Sequence, residues 1–337
     1  MTVQINRQWT LARRPSGRLQ TSDFNWAETP IPMCGPGEVL IRNLYISCDP
    51  TQRGWLAYDT YLPAVKIGEV VRAVAAGRIV QSNHPDYTVG ELVSGLFGWQ
   101  DYVAIQPARG NLTRLPNGIP IPLAMGALGM TGLTAYIGLL DIGRPKEGET
   151  VLVSGAAGAT GSVVGQIAKV KGCKAVGVAG GADKCKWVVE QGGFDACIDY
   201  KHEDVLRRIA ELCPKGVDIY FDNVGGPILD AALSRLGRNG RVVLCGGISS
   251  YNATGKTEGI QNLNRLIVQR GRMEGFIILD HAARFGEVLR DLSAWVAAGK
   301  VKNEVDIQQG LENAPETLNR LFDGKNLGKQ LLQIAEP

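Results

Sequence analysis

Between residues 123 and 299 the chain alternates short apolar runs with longer amphipathic stretches. The apolar runs predict six strands, at 150–154, 174–179, 196–199, 217–221, 241–245 and 273–279. The stretches between them predict helices, including 162–171, 183–191, 204–213 and 228–236. Strands and helices that alternate at this spacing are typical of a parallel sheet with helices on both faces. We therefore predict a doubly wound α/β domain over residues 123–299.

Residues 1–122 show a different pattern, in which short apolar runs are separated by Pro and Gly turns. Examples are Val39-Leu40-Ile41 and Leu92-Val93, and a proline cluster, Pro116, Pro120 and Pro122, closes the region. This pattern predicts a β-rich domain. After Gly299 the pattern of apolar and polar residues again resembles loops and short strands, so we expect residues 300–337 to complete that first domain. The predicted fold class is α/β with two domains.

Composition and charge exclude several classes of protein. The 337 residues are 45% apolar and 20% charged, which is close to a soluble globular average. The net charge of +3 is evenly spread, so we expect neither nucleic acid nor a membrane surface as a partner. No run of about 18 apolar residues suggests a membrane span. The first eleven residues lack the apolar core of a signal peptide, and we predict a cytoplasmic protein.

The cysteines and histidines do not indicate a metal site. Seven cysteines, with no pair spaced Cys-x-x-Cys, favour reduced core thiols over a disulfide framework or structural zinc. The histidines are His84, His202 and His281, and none lies in a Gly-His-Glu sequence. A catalytic zinc needs three protein ligands, so we predict no metal. No Gly-x-Ser-x-Gly elbow or Cys–His nucleophile setting is present either.

The most informative segment is residues 151–169, in which an apolar strand leads through a Gly/Ala turn into an amphipathic helix. Small residues let backbone N–H groups approach a pyrophosphate, and the positive end of the helix favours it. Ala156 occupies the first glycine position of the usual fingerprint. The alternative is a tight turn with a purely structural role, which would explain the glycines. The position of the segment between a strand and a helix favours a dinucleotide-binding loop instead.

The next strand indicates which dinucleotide binds. An acidic residue at its end would bind a free ribose 2′-hydroxyl and select NAD. Here the strand ends in Gly180-Gly181, which leaves room for a phosphate, and Lys184 and Lys186 follow as possible partners. The alternative is that both lysines are ordinary solvated helix residues. Asp183 is the counter-argument, but we expect it to cap the helix. We predict NADPH.

Without a metal, the electrophile must be polarised by hydroxyl or amide donors. A tyrosine can direct its phenolic proton at a developing enolate oxygen. Tyr251 follows a strand of the nucleotide domain, where ligands of doubly wound folds collect. The alternative is that Tyr251 only packs its loop against the domain.

These segments together resemble the zinc-independent medium-chain dehydrogenases and reductases. The nearest branch holds prostaglandin and leukotriene reductases, plant alkenal double-bond reductases and above all bacterial curcumin-reductase-like proteins. The resemblance covers nearly the whole length and rests on the motifs Ser47-Cys48-Asp49-Pro50, Gly98-Trp99-Gln100-Asp101-Tyr102, Gly129-Met130-Thr131-Gly132, Gly158 to Gly161, Phe221-Asp222-Asn223-Val224-Gly225-Gly226, Ser250-Tyr251-Asn252, Met273-Glu274-Gly275-Phe276 and Asn326-Leu327-Gly328-Lys329.

The resemblance implies a GroES-like catalytic domain joined to the Rossmann domain, and a homodimer. It implies that Tyr251 meets the substrate oxygen and that Tyr61 lies near the substrate. It also implies the residues that contact the cofactor: Gly158, Ala159, Thr160 and Gly161 at the pyrophosphate, Lys184 and Tyr200 at the 2′-phosphate, Asn223 along the cofactor, Cys245, Gly246, Ser249, Tyr251, Phe276, Ile277 and Ile278 on the nicotinamide side, Met130 and Thr131 near its ring, and Asn326.

One departure from the family pattern bears on the substrate. Relatives usually read Asp-Pro-Tyr-Met-Arg, whereas this chain reads Asp49-Pro50-Thr51-Gln52-Arg53. Thr51 therefore stands where a tyrosine often lies beside the substrate, and the pocket should be more polar there. Trp55 and Tyr58 either reshape its mouth or are ordinary core or surface aromatics.

We therefore expect an NADPH-dependent reductase of the C=C bond of α,β-unsaturated carbonyls, acting on small electrophilic molecules. Two alternatives stay open. One is quinone reduction on the same scaffold, and the other is a non-catalytic protein that holds NADPH without turnover.

Overall fold

The computed structural model describes residues 5–257 and 259–337. The chain divides into two compact units. The first, which we call the β-rich unit, contains the residues up to Met125 together with Asp306–Asn326 and Gln330–Pro337. The second, the nucleotide unit, contains Gly126–Val305 and Leu327–Lys329. The division expected from the sequence, after residues 122 and 299, falls a few residues before these boundaries.

The strands of the described chain are, in order, β1 Ile5–Leu11, β2 Phe24–Pro30, β3 Val39–Ser47, β4 Val74–Ser82, β5 Leu92–Leu96, β6 Tyr102–Ile105, β7 Thr113–Arg114, β8 Thr150–Ser154, β9 Lys174–Ala179, β10 Ala196–Asp199, β11 Val217–Asp222, β12 Leu236–Leu244, β13 Arg272–Gly275, β14 Val305–Gln309 and β15 Lys329–Gln333.

The α-helices are α1 Gln52–Trp55, α2 Pro107–Gly110, α3 Ile121–Met125, α4 Met130–Ile137, α5 Ala159–Val170, α6 Ala182–Glu190, α7 Val205–Leu212, α8 Gly226–Ser234, α9 Asn264–Gln269, α10 Phe285–Ala297 and α11 Ala314–Phe322. Short 3₁₀ helices lie at Thr21–Asp23, Ile248–Ser250, Ile278–Arg284 and Leu311–Asn313, and a π-helical turn at Gly138–Gly143 continues α4.

The β-rich unit is built on an antiparallel sheet with the strand order β14-β15-β3-β4-β5-β7, and β6 also pairs with β3. Strand β3 is its centre and is buried over most of its length. Its core is rich in aromatic residues, including Trp9, Phe24, Trp55, Phe97 and Trp99. A separate hairpin pairs β1 with β2. The sequence prediction of a β-rich domain is therefore confirmed.

The nucleotide unit contains a six-stranded sheet in the order β10-β9-β8-β11-β12-β13, in which all neighbouring strands are parallel. This is the strand order of a doubly wound dinucleotide-binding fold, with the switch point between β8 and β11. Strands β8 and β9 are almost entirely apolar and buried, as parallel strands covered on both faces must be. The predicted Rossmann architecture is confirmed.

Most predicted elements appear, and the differences lie at their ends. The apolar run at 273–279 was expected to be one strand, but β13 stops at Gly275 and a 3₁₀ helix begins at Ile278. Strand β12 begins at Leu236 rather than at 241. The expectation that Asp183 caps α6 is wrong, because the N-cap is Gly181 and Asp183 lies in the first turn. An acidic side chain there still interacts favourably with the helix dipole.

Within the described ranges, no helix combines the length and the apolar character that crossing a membrane would require.

Candidate active site

The turn between β8 and α5 brings backbone amides to one edge of the parallel sheet. Gly155 has φ +62°, a left-handed conformation that favours glycine. A Cβ on Gly161 would lie 2.3 Å from the Gly155 carbonyl oxygen, so only glycine fits. Gly158 caps α5 and has no side chain with which to cover the helix start. The first-turn amides of Ala159, Thr160 and Gly161 therefore lie at the positive end of a largely buried helix, an arrangement that can bind an anion.

A segment from far along the chain completes this turn. The Gly328 amide donates to the carbonyl of Ala157 at 2.8 Å, and Gly158 and Gly328 form a β-bridge. Gly328 has φ +70°, and a Cβ there would lie 2.2 Å from the Glu304 carbonyl oxygen. The motif that begins at Asn326 thus reaches the phosphate loop through Gly328, whereas Asn326 itself is a buried residue of the β-rich unit.

The end of β9 forms a second part of the site. A Cβ on Gly180 would lie 2.8 Å from the ring and the hydroxyl of Tyr200, so the phenol lies directly over this glycine. The Gly181 amide donates to Asp199 Oδ1 at 2.8 Å. Burial disfavours a charged Asp199, but hydrogen bonds from His202, Gly181 and Lys201 hold its carboxyl pKa below the usual value. Lys184 lies in the first turn of α6, so Gly180, Lys184 and Tyr200 come from adjoining segments.

A buried carboxylate holds the neighbouring strand ends together. Asp222, at the end of β11, is 1% exposed. Its Oδ1 accepts hydrogen bonds from the Tyr220 hydroxyl at 2.7 Å, the Ser154 hydroxyl at 3.0 Å and the amides of Val224 and Gly225 at 3.0 and 2.9 Å. Its backbone carbonyl accepts from the amides of Cys245 and Gly246. Asp222 therefore ties β8, β11 and the loop after β12 to one another.

Sequence reasoning missed the role of Asp222. The family resemblance includes the motif that contains Asp222 but assigns only Asn223 to the cofactor. A usable signal was present, because Asp222 ends a strand whose preceding residues Ile219, Tyr220 and Phe221 are fully buried. A carboxylate that follows such a run must find donors or be excluded from the core.

The polar side chains next to Asp222 are bonded within the unit. Asn223 Nδ2 donates to the carbonyl of Ser154 at 2.7 Å, and its amide donates to Ser154 Oγ. Ser249 Oγ donates to the carbonyl of Val224 at 2.6 Å. Asn223 and Ser249 are thus oriented by the ends of β8 and β11. Burial of the Cys245 sulfur raises its thiol pKa to about 12, so this thiol is neutral near pH 7.

Tyr251 lies immediately after the 3₁₀ turn at Ile248–Ser250. It is half-buried, and its phenolic oxygen accepts a hydrogen bond from the Gly247 amide at 3.1 Å. The same turn is closed by Ser250 Oγ, which donates to the carbonyl of Gly247. A hydroxyl that accepts a hydrogen bond is polarised and becomes a better donor. The loop thus fixes the Tyr251 hydroxyl at the carboxyl edge of the sheet.

The remaining candidates of the nucleotide unit lie on α4 and after β13. Phe276 packs over Gly138, because a Cβ on that glycine would lie 2.7 Å from its ring. Ile277 and Ile278 follow it and are half-buried. Met130 is exposed at the start of α4, and Thr131 Oγ1 donates to the carbonyl of Gly126 at 3.1 Å. Thr131 therefore has a structural hydrogen bond in addition to its predicted role.

In the β-rich unit, Thr51, which departs from the family pattern, is hydrogen-bonded to another candidate residue. Thr51 Oγ1 and the Tyr61 hydroxyl lie 3.0 Å apart. The Tyr61 ring meets the Trp55 ring edge to face, with the centroids 6.1 Å apart. The Arg72 guanidinium lies over the Trp55 ring, 5.9 Å from its centroid. Trp55 is a core residue, whereas Tyr58 is 59% exposed. These positions favour the interpretation that the two residues are ordinary aromatics, with Trp55 in the core and Tyr58 on the surface.

Across residues 5–257 and 259–337, no three His, Cys, Asp or Glu side chains come together so as to hold a metal ion. His84 contacts Tyr87, His202 pairs with Asp199 and His281 lies edge-on to Phe276.

Comparison with known proteins identifies the family. A family model described as the N-terminal domain of oxidoreductase matches residues 7–113, and one described as zinc-binding dehydrogenase matches residues 159–294. The chain is 44% identical to an NADPH-dependent curcumin reductase of Escherichia coli strain K12 over 98% of both chains. The chain belongs to the zinc-independent medium-chain dehydrogenases and reductases. This confirms the resemblance found in the sequence.

Two further members of this medium-chain family are similar over nearly their whole length. A 2-alkenal reductase (NADP(+)-dependent) of Nicotiana tabacum is 38% identical over 98% of both chains. A crystal structure of CurA from Vibrio vulnificus in complex with NADPH is 42% identical, with a TM-score of 0.93 over 98% of this chain and all of that one. As a member of the medium-chain family, the chain is an oxidoreductase.

Proposed function

We propose that this protein is an NADPH-dependent reductase of the C=C bond of α,β-unsaturated carbonyls, such as enals and enones. The observation that carries the proposal is the arrangement of the carboxyl edge of the parallel sheet. A helix start after β8 whose cap is a glycine and a hydrogen-bonded tyrosine after β12 lie on the same edge of the nucleotide unit's sheet.

The residues present fit NADPH. Gly155, Gly158 and Gly161 allow the tight turn through which backbone amides can approach a pyrophosphate, because a Cβ at Gly161 would collide with the Gly155 carbonyl oxygen and open the turn. Lys184 and Tyr200 would hold the 2′-phosphate beside Gly180, where no acidic side chain follows β9 directly. The relatives confirm the predicted cofactor, because the bacterial and plant reductases use NADPH or NADP(+) by name. When bound, NADPH supplies a hydride.

Tyr251 is proposed to stabilise the negative charge that develops on the substrate oxygen when the β-carbon is reduced. The Gly247 amide orients and polarises its hydroxyl before the substrate arrives. A donor organised in advance for such a charge is worth roughly 3–4 kcal/mol in the transition state. The α-carbon then receives a proton from water or from a tyrosine.

The β-rich unit is proposed to contribute to substrate selection through Tyr61. Thr51 and Trp55 fix the position of this ring, and the hydroxyl pair offers polar contacts where relatives often have a tyrosine. This favours substrates with a polar group near that position.

The proposal is tested by following NADPH oxidation with a panel of enals, enones and quinones, with NADH as the control. We expect the enals and enones to be turned over faster than the quinones, and NADPH to be preferred to NADH. Faster turnover of quinones would identify a quinone reductase. Tight NADPH binding without turnover of any electrophile would identify a non-catalytic binding protein.

We further propose a cytoplasmic homodimer. Strand β13 is at the edge of the six-stranded sheet of the described chain, and the adjoining helix α9 exposes Ile267 and Val268 to 80% and 53%. An open strand edge beside apolar residues favours pairing with a second copy. Sedimentation of the purified protein at the mass of one chain would contradict this.

A further inference from the structure

Two cysteines of the nucleotide unit contact each other beside the proposed 2′-phosphate site. The Cys197 thiol donates to Cys185 Sγ with the sulfurs 3.1 Å apart. Cys185 lies on α6 directly after Lys184, and Cys197 lies on β10 three residues before Tyr200. Both are half-buried, whereas Cys173 and Cys213 of the same unit are buried. Neither thiol has a role in the proposed reduction.

The distance between the sulfurs suits a reversible covalent bond. A disulfide needs a separation of about 2.05 Å, so the thiols would have to approach by about 1 Å. Cys185 lies near the start of its helix, where the Gly181 carbonyl accepts its amide hydrogen. A shift of this size can be taken up by the first turn of α6, which begins at the glycine pair 180–181.

We propose that Cys185 and Cys197 are a dithiol that hydroperoxides oxidise to a disulfide, and that this disulfide weakens NADPH binding. The second part rests on the proposed function, because it takes the flanking Lys184 and Tyr200 to hold the 2′-phosphate. The first part depends only on the contact between the two thiols.

The electrostatics assign an order to the two sulfurs. The hydrogen bond from Cys197 lowers the pKa of Cys185, against the opposing effects of burial and of the carboxylates of Asp199 and Glu203. The same contact, with burial, raises the pKa of Cys197. Cys185 is therefore the thiol that ionises first, and the thiolate is the nucleophile toward peroxides.

The oxidation balances with hydrogen peroxide as the oxidant. The Cys185 thiolate attacks one peroxide oxygen, the O–O bond breaks, and the departing hydroxide takes up a proton to become water. Cys185 is then a sulfenic acid. The Cys197 sulfur attacks the Cys185 sulfur, the S–S bond forms, the S–O bond breaks, and the hydroxyl leaves with the Cys197 proton as a second water. Two thiols are oxidised by two electrons and one peroxide is reduced.

The disulfide would alter the neighbouring phosphate site. Drawing α6 toward β10 moves Lys184 relative to Tyr200, and Tyr200 already lies tightly over Gly180. A charge-assisted hydrogen bond to a phosphate weakens steeply when its partners are displaced by 1 Å. We expect the dissociation constant of NADPH to rise about tenfold.

Peptide mapping tests the first part. Trypsin cuts after Lys184, Lys186 and Lys201, so the disulfide would appear as fragment 187–201 with the dipeptide 185–186 attached. We expect this species after treatment with hydrogen peroxide and its loss after dithiothreitol. The variants Cys185→Ala and Cys197→Ala should lack it, while Cys34→Ser, a control in the β-rich unit, should retain it. Absence of the linked fragment from peroxide-treated wild type would overturn the dithiol.

Calorimetric titration with NADPH tests the second part. Reduced wild type should bind about tenfold more tightly than the oxidised protein, and dithiothreitol should restore the affinity. Cys185→Ala should bind equally well before and after peroxide. Equal affinities of the reduced and disulfide-linked wild type would overturn the coupling. Failure of the reduced protein to bind NADPH would instead overturn the proposed function, while the linked fragment would still be found.

Discussion

Asp222 is 1% exposed and accepts four hydrogen bonds, whereas Tyr61, in the other unit, is 44% exposed and has its hydroxyl beside Thr51. At the edge of the parallel sheet, backbone amides form the proposed cofactor surface and buried side chains hold them in place. In the β-rich unit, exposed side chains of a turn-rich segment form the proposed substrate surface themselves. A surface made of backbone amides is little altered by substitution of side chains, so it suits a cofactor that many enzymes share. A surface made of side chains changes with each substitution and can therefore differ from one substrate to another.

The largest effect is expected at the buried carboxylate. Asp222→Ala should lower the free energy of unfolding by roughly 4 kcal/mol or more, because four buried donors lose their acceptor and each costs about 1–3 kcal/mol. Chemical denaturation measures this change. Asp222→Asn keeps an acceptor oxygen and should lose less. If the alanine variant were as stable as wild type, the sheet edge would not depend on this side chain.

Next in size is a change in the glycine turn. Gly161→Ala would place its Cβ 2.3 Å from the Gly155 carbonyl oxygen, so the turn must open. We expect NADPH binding, measured by calorimetry, to weaken about a hundredfold, which is about 2.7 kcal/mol. The control is Gly286→Ala in α10, where the nearest atom is 3.9 Å away. A normal affinity in Gly161→Ala would mean that this turn does not hold the phosphates.

A similar effect on turnover is expected at the tyrosine. Tyr251→Phe should lower kcat about a hundredfold or more with the best enal or enone, because one donor to the developing charge is lost. As a control, Tyr87→Phe removes the hydroxyl of a tyrosine that contacts His84 in the β-rich unit and should leave kcat nearly unchanged. Near-wild-type turnover in Tyr251→Phe would remove this residue from the mechanism and leave it a packing role.

The smallest effect is expected in the β-rich unit. Thr51→Val removes the hydroxyl next to Tyr61 and should change kcat/KM about threefold, as befits one exposed hydrogen bond. Thr51→Ser keeps the hydroxyl and should behave like wild type. The combination of Thr51→Val with Tyr61→Phe should be no worse than the stronger single change, since both remove the same contact. Additive losses would show that the two hydroxyls act independently.

The same contrast explains what could be predicted from the sequence. Strands β8, β9 and β10 were predicted with their observed bounds, because a buried parallel strand is a nearly unbroken apolar run. Strand β13 was predicted too long, since an apolar pattern cannot tell a paired residue from Phe276, which leaves the sheet and packs on Gly138. The glycine turn is visible because its geometry excludes other residues.

Contacts between side chains were not visible in the same way. Thr51 and Tyr61 are ten residues apart on a segment with no regular period, so no pattern brings their hydroxyls together. Cys185 and Cys197 meet only because α6 packs on β10. The hydrogen bonds to Asp222 come from β8, β11 and the following loop, and they depend on the order of strands in the sheet. The assignments of individual residues to the cofactor or the substrate, from the glycine turn to Tyr251, all remain predictions.

The bridge between Gly158 and Gly328 also bears on how the protein is made. A ribosome releases the strand, turn and helix that precede residue 170 long before the partner glycine is synthesised. Until then the Ala157 carbonyl has no amide from Gly328. Closing such a distant contact is slow compared with forming the local turn. The nascent chain should therefore gain its full affinity for a dinucleotide late in translation, when Gly328 bonds to the glycine turn that formed earlier.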